Sequence, residues 1–238
     1  MLRLIFFAGF VVASLGVCAQ DAPRPVRMVI SSERVASLAD APQHFVVLRV
    51  EVSRGQSGTF SGPSGYVYVF AGKLEVAGAS ARRALSAGEA AFIRGGEQIA
   101  MRNAFSGTTT LVHFLLVAGA PGETPWYAPT FKTAELYRTA APIPKLEAGP
   151  YEFSLTKVTS PPRVKPPLHH RSGAAVYYVL EGSATLHMEG KSEARKAGMV
   201  QYEPNGFVHT WENSGATPLV LLQANISREG TPEIIFLR

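Results

Sequence analysis

The stretch Gly198-Met-Val-Gln-Tyr-Glu-Pro204-Asn-Gly206-Phe-Val-His209-Thr-Trp-Glu-Asn213 decides the fold. A β-prone run from Val200 to Tyr202 meets Pro204-Asn205-Gly206, a tight-turn signal. His209 then falls just inside the next strand, where its side chain can point into a barrel. Upstream, Pro166-Pro167-Leu168-His169-His170-Arg171 precedes the apolar run Val176 to Leu180, closed by Gly182. An extended segment carrying one histidine, beside a strand carrying another, is a way to converge imidazoles on a divalent metal.

The same skeleton stands 110 residues earlier. Tyr66-Val-Tyr-Val-Phe-Ala-Gly72 parallels Val176-Tyr-Tyr-Val-Leu-Glu-Gly182, and Ala87-Gly88, Gly96 and Asn103 parallel Ala197-Gly198, Gly206 and Asn213. One offset held over so many positions marks a duplicated unit. Each copy reads as β-structure. The first has runs at Phe45–Val52, Gly65–Phe70, Ala90–Ile93 and Leu111–Val117, and the second at Phe153–Val158, Val176–Leu180, Val200–Tyr202 and Leu219–Gln223. Short strands with regular turn signals predict a sandwich or barrel. Between the copies, residues 119–150 carry six prolines and three glycines and read as a linker, with one helical turn expected around Thr133–Arg138.

These residues resemble the cupin superfamily. Its second motif, G-x5-P-x-G-x2-H-x3-N, is met in full from Gly198 to Asn213. Its first motif is two histidines separated by one residue, then a glutamate, then a hydrophobic strand ending in glycine. Counted back from Gly182, the first histidine matches His169, the second position holds Arg171, and the glutamate position holds Ala175. The resemblance implies an all-β chain of two tandem cupin (jelly-roll) barrels. The expected divisions are a first barrel over 20–118, the linker 119–150 and a second barrel over 151–238. In the first copy the equivalent positions are Thr59, Ser61, Gly65, Arg94 and Ile99, so that barrel is expected to lack a metal site.

For the second barrel, the resemblance implies one divalent metal (Fe, Mn, Ni or Zn). His169 and His209 would ligate it, with Glu203 or His170 standing in for the missing partners. Such a metal would serve as Lewis acid or oxygen-activating centre on a small organic molecule, in a dioxygenase, isomerase or hydrolase. Arg171 argues the other way, because a guanidinium at a ligand position repels a cation and suits a carboxylate. The alternative is therefore a non-catalytic site for an anion or sugar acid. Arg171, Tyr177, Gln201 and Trp211 are its candidate binding residues. His44, His113 and His187 read as structural, and Trp126 and Tyr127 as a cover over the barrel junction.

The ends of the chain and its composition complete the expectations. Leu4 to Val17 is an uncharged run after Arg3, too short to span a bilayer, and Val17-Cys18-Ala19 suits a cleavage point. Residues 1–19 thus read as a secretory leader, and the protein as periplasmic or extracellular. The rival, a lipoprotein site at Leu15-Gly16-Val17-Cys18, is poorly served by the branched Val17. Cys18 is the single cysteine of the 238 residues, so cleavage would leave no thiol. The net charge of +5 is scattered without a basic run, which gives nucleic acid no support as a partner. The expected partner is a small molecule. A homodimer is possible through paired barrel edges, and no membrane span is expected beyond the leader.

Overall fold

The computed structural model describes residues 23–35, 41–78, 82–119, 126–144 and 149–237. The expected leader lies outside the described residues. Among them there is no helix at all, and so none long and apolar enough to cross a membrane.

Each copy of the repeat closes two sheets into a barrel, and every strand pairing is antiparallel. In the first barrel one sheet runs in the order β10 (Lys132–Arg138), β2 (Gln43–Val52), β9 (Thr109–Ala118), β4 (Ser64–Ala71), β7 (Ala90–Ile93). The other is β3 (Ser57–Ser61), β8 (Gln98–Arg102), β5 (Lys73–Ala77), β6 (Arg82–Ser86). In the second barrel the matching sheets are β1 (Val26–Val35), β11 (Tyr151–Ser160), β18 (Leu219–Arg228), β13 (Ala174–Glu181), β16 (Val200–Glu203), and β15 (Lys191–Lys196), β14 (Ser183–Met188), β17 (His209–Glu212), β12 (His169–Arg171), β19 (Ile234–Phe236).

The repeat survives in detail. A bulge interrupts β4 against β9 between Val69 and Ala71, and its counterpart interrupts β13 against β18 between Val179 and Glu181. Gly198 and Gly206 adopt positive φ angles of 88° and 75°, as do their equivalents Gly88 and Gly96. A side chain would strain those turns, so the glycines of the motif are dictated by backbone geometry.

Two strands cross between the copies. β1, which precedes the first barrel, adds itself to the edge of the second barrel's sheet, pairing Val26 with Thr159 and Val35 with Tyr151. β10, in the linker, pairs instead with β2 of the first barrel, Thr133 against Val50 and Arg138 against Val46. The helical turn expected at Thr133–Arg138 is therefore a strand. The β-branched Thr133 and the aromatic Tyr137 suit it, and the exposed edge of β2 supplies the hydrogen bonds that a lone turn lacks.

Three cores result. Alternate residues of β2 explain why Phe45–Val52 reads as one unbroken apolar run. Val46, Leu48 and Val50 face the first barrel's interior, whereas Phe45 and Val47 face a core shared with the second barrel. That shared core packs Phe153, Leu155, Val176 and Leu222 against Tyr66 and Phe114, and the Tyr66 hydroxyl donates to the Phe153 carbonyl at 2.6 Å. The second barrel's own interior holds Tyr177, Leu186, Trp211 and Leu221.

Candidate functional site

The turn of the second motif docks on the first. Gly206 N–H donates to the Arg171 carbonyl at 2.9 Å, and Phe207 N–H closes the turn on Pro204 at 3.1 Å. Asn213 at the motif's end is a loop staple. Its Nδ2 donates to the carbonyls of Ser160, Pro161 and Thr217, and its Oδ1 accepts from Gly215 N–H. β12 and β17 then lie side by side, with His169 opposite His209. Both imidazoles are held alike. His169 Nδ1–H donates to the Pro167 carbonyl and His209 Nδ1–H to the Phe207 carbonyl, each at 3.0 Å, so both Nε2 atoms turn inward. The rings stand 4.5 Å apart, edge to face.

Glu203 faces the same interior, directly across the sheet from Ala175. A carboxylate thus reaches the site from the strand next to the position that Ala175 holds. Its oxygens are nevertheless committed. Arg171 Nε–H donates to Oε2 at 2.7 Å and Trp211 Nε1–H to Oε1 at 2.7 Å. His209 Nε2 lies 2.8 Å from the same Oε1, at ion-pair distance but off the line of a hydrogen bond. Arg171, Glu203 and His209 are all wholly buried. Burial alone would raise Glu203, but the Arg171 charge, His209 and the Trp211 N–H overcome it and hold the carboxyl at about 2. His169 is pushed down to about 4, first by burial and then by the positive charges around it, against the Pro167 carbonyl.

Arg171 is the centre of this cluster. Its guanidinium stacks on Tyr177, 5.1 Å from the ring centroid, and both Nη groups are buried without a protein partner. The donors therefore already surround a fixed cation. Among the described residues no three or more His, Cys, Asp or Glu side chains are grouped to hold a metal ion. Of the expected ligands His169, His209, Glu203 and His170, the first three come together, but the Glu203 carboxylate is occupied, and His170 turns its Nδ1 toward the Arg171 carbonyl at 3.2 Å. The residues present do not fit a divalent metal.

The remaining candidates divide. Tyr177 and Trp211 line a cavity of about 440 Å³ together with His169 and apolar walls from Val158, Leu219 and Leu221. Gln201 takes no part in that lining. Its Oε1 accepts from Arg195, and its Nε2 donates to the Tyr202 carbonyl. Arg27, on β1, was missed. It lines the cavity and donates to Gln223 Oε1 at 2.9 Å, where the Tyr177 hydroxyl also donates. Nothing in the sequence near Arg27 signals this, because its partner strand lies more than a hundred residues downstream.

The first barrel is filled. Ile93, Ile99 and Met101 stand in its core where the second barrel has Glu203, His209 and Trp211. Tyr127 does not cover the junction but enters this core, its hydroxyl 2.7 Å from His113 Nδ1. Burial lowers His113 to about 3 and raises Tyr127.

Comparison with known proteins agrees with this architecture. Residues 156–224 match the family model described as Cupin domain. Among solved structures, AerE from Microcystis aeruginosa is similar at a TM-score of 0.55 and 14% identity, over 86% of this chain and 98% of that one. A point mutant of Bacillus subtilis oxalate decarboxylase OxdC is similar at 0.58 and 14%, over 89% and 79%. The formate complex of Lactobacillus farciminis oxalate decarboxylase is similar at 0.57 and 14%, over 89% and 88%. No curated protein matches the sequence.

Proposed function

From a second barrel that is a cupin domain, in a chain folded as a double barrel of that kind, we propose metal-independent binding of a small organic anion. The observation that carries this reading is the buried Arg171 guanidinium. It sits at a position where the family pattern has a histidine and neutralises Glu203 from 2.7 Å. A built-in cation of this kind supplies the charge that a metal would and occupies the carboxylate that a metal would need. The guanidinium of Arg171 stacks on Tyr177, which lines the cavity, and its Nη donors are buried without a partner. No Asp or Glu belongs to the lining, whereas Arg24, Arg27 and Lys165 do. The site is placed outside the cytoplasm on the reading of residues 1–19 as a leader.

Bacillus subtilis oxalate decarboxylase, a fold neighbour at 14% identity, has Mn(II) centers. That contrast defines the test. Untagged protein is analysed for bound metals and then titrated calorimetrically with carboxylates in the presence of a chelator. Saturable binding by metal-free protein is the expected result. Stoichiometric metal, with binding lost on chelation, would restore the metal-centred reading and overturn this one.

A further inference from the structure

The cavity of the second barrel has a composition that narrows its ligand. Its walls are Val158, Val164, Leu219 and Leu221 with the faces of Tyr177 and Trp211, and its volume of about 440 Å³ lies at the low end of small-molecule pockets. A polyhydroxylated acid would leave its hydroxyls unpaired against such walls, at a cost for each one. The mouth is different in character. Arg24, Arg27 and Lys165 stand around it.

Of these three, Arg27 alone is fixed in place by the fold. It sits on β1 opposite Val158, so the exchanged strand carries it over the barrel's rim. Its Nη1 donates to Gln223 Oε1 at 2.9 Å, and its Nη2 is paired with Glu233 Oε2. Glu233 is held in turn by Ser154 Oγ and Gln223 Nε2. These acceptors orient the fork before any ligand arrives. The side chain keeps 32% of its surface exposed, so donors remain available at the mouth. A guanidinium oriented in this way loses little freedom on gripping a carboxylate.

We propose that Arg27 is the carboxylate anchor of the second barrel, and that the ligand is a monocarboxylic acid with an apolar body. The body lies against Trp211, Tyr177 and the aliphatic walls, and the head meets Arg27 at the rim. Glu233 competes with that head for the same fork. The proposal rests on metal-independent anion binding by this barrel and adds the ligand class and a residue from the far end of the chain.

The test titrates chelator-treated protein with hexanoate, hexanamide, gluconate and oxalate by calorimetry. Hexanoate is expected to bind at least about tenfold more tightly than hexanamide, the scale of one charge-assisted contact. Arg27→Gln should bring hexanoate down to the amide's affinity and leave the amide unchanged. Glu233→Gln should tighten hexanoate severalfold. A merely structural role for the pair would move both variants in the same direction. An acid preference that survives Arg27→Gln, or gluconate or oxalate binding above hexanoate, would overturn the proposal and leave anion binding standing, whereas equal binding of acid and amide would overturn both. Failure of all four probes, or binding that disappears with the chelator, would overturn the underlying reading as well. If Arg27→Gln loosens β1 and unfolds, Glu233→Gln decides: hexanoate bound no more tightly than by the wild type refutes the anchor.

Discussion

Replacing Arg171 by methionine removes one half of a buried ion pair and leaves the other half in place. Glu203 would keep the Trp211 N–H at 2.7 Å and His209 beside it, but lose the Nε–H donor and the compensating charge. Breaking a buried pair from one side costs about 3–5 kcal/mol, because a carboxylate is left without its countercharge. For a chain of this size, that is a fall in Tm of about 6–20 °C. Glu203→Leu should cost a similar amount, since it strands a guanidinium whose Nη groups already have no partner. The double variant should lie within about 2 kcal/mol of the wild type, because removing both charges also removes both desolvation penalties. The cycle then yields a coupling energy of at least about 4 kcal/mol. Urea unfolding of the four proteins measures it, with constant m-values as the check that the same surface unfolds. The pH dependence gives a second reading. Without Arg171, burial lifts the Glu203 carboxyl, so the penalty of Arg171→Met should shrink between pH 8 and pH 5. Additive single costs, or a single cost below about 1 kcal/mol, would refute the claim that Arg171 serves as the site's own cation.

Three further outcomes follow from the same geometry. Arg171→His would add a third imidazole between His169 and His209 and release Glu203. This variant should acquire a divalent metal by elemental analysis and calorimetry, and no gain over the wild type would count against the account of why the present residues exclude one. His113 and His169 are held at about 3 and about 4, below the usual 6.5, so the unfolded chain binds more protons than the folded one. Stability should therefore be fully present above about pH 6.5 and fall as the pH drops toward 4, and His113→Gln should reduce the slope of the urea midpoint there by about one proton. Tyr66→Phe removes the hydroxyl's bond to the Phe153 carbonyl between the barrels and should cost about 1 kcal/mol in the same assay.

The parts of this molecule that were legible in the sequence are those written locally or twice. The glycines at Gly198 and Gly206 announce turns because only they tolerate the backbone there, and their equivalents at Gly88 and Gly96 made the duplication visible. The runs Val176–Leu180 and Leu219–Gln223 are strands because apolar residues face a core on each side of the sheet. His169, Glu203 and His209 meet because one motif's turn is hydrogen-bonded to the other's strand. What the residues did not disclose is which charge would win. The choice between a metal and Arg171 depended on the guanidinium reaching Glu203 within hydrogen-bonding distance, a matter of rotamer and packing. The role of Thr133–Arg138 and that of Arg27 were hidden for a different reason. Each depends on a strand from the other repeat, and short-range pattern carries no trace of such pairing.

The exchange of β1 and β10 also dictates an order of events during synthesis. The first barrel lacks an edge strand until residue 138 has been made, although its other strands end at Ala118. β1 leaves the ribosome before all the other described strands, yet waits for Tyr151–Thr159 before it has a partner. Loops of this span close slowly, and an unpaired edge in the interval invites pairing with the wrong chain. The first repeat consequently has all its strands by residue 138, while the strand that caps the second repeat's sheet still waits for its partner. Each repeat takes its edge strand from outside its own run of barrel strands, so the first sheet is completed only by the linker strand and β1 stays unpaired until Tyr151–Thr159 has been made.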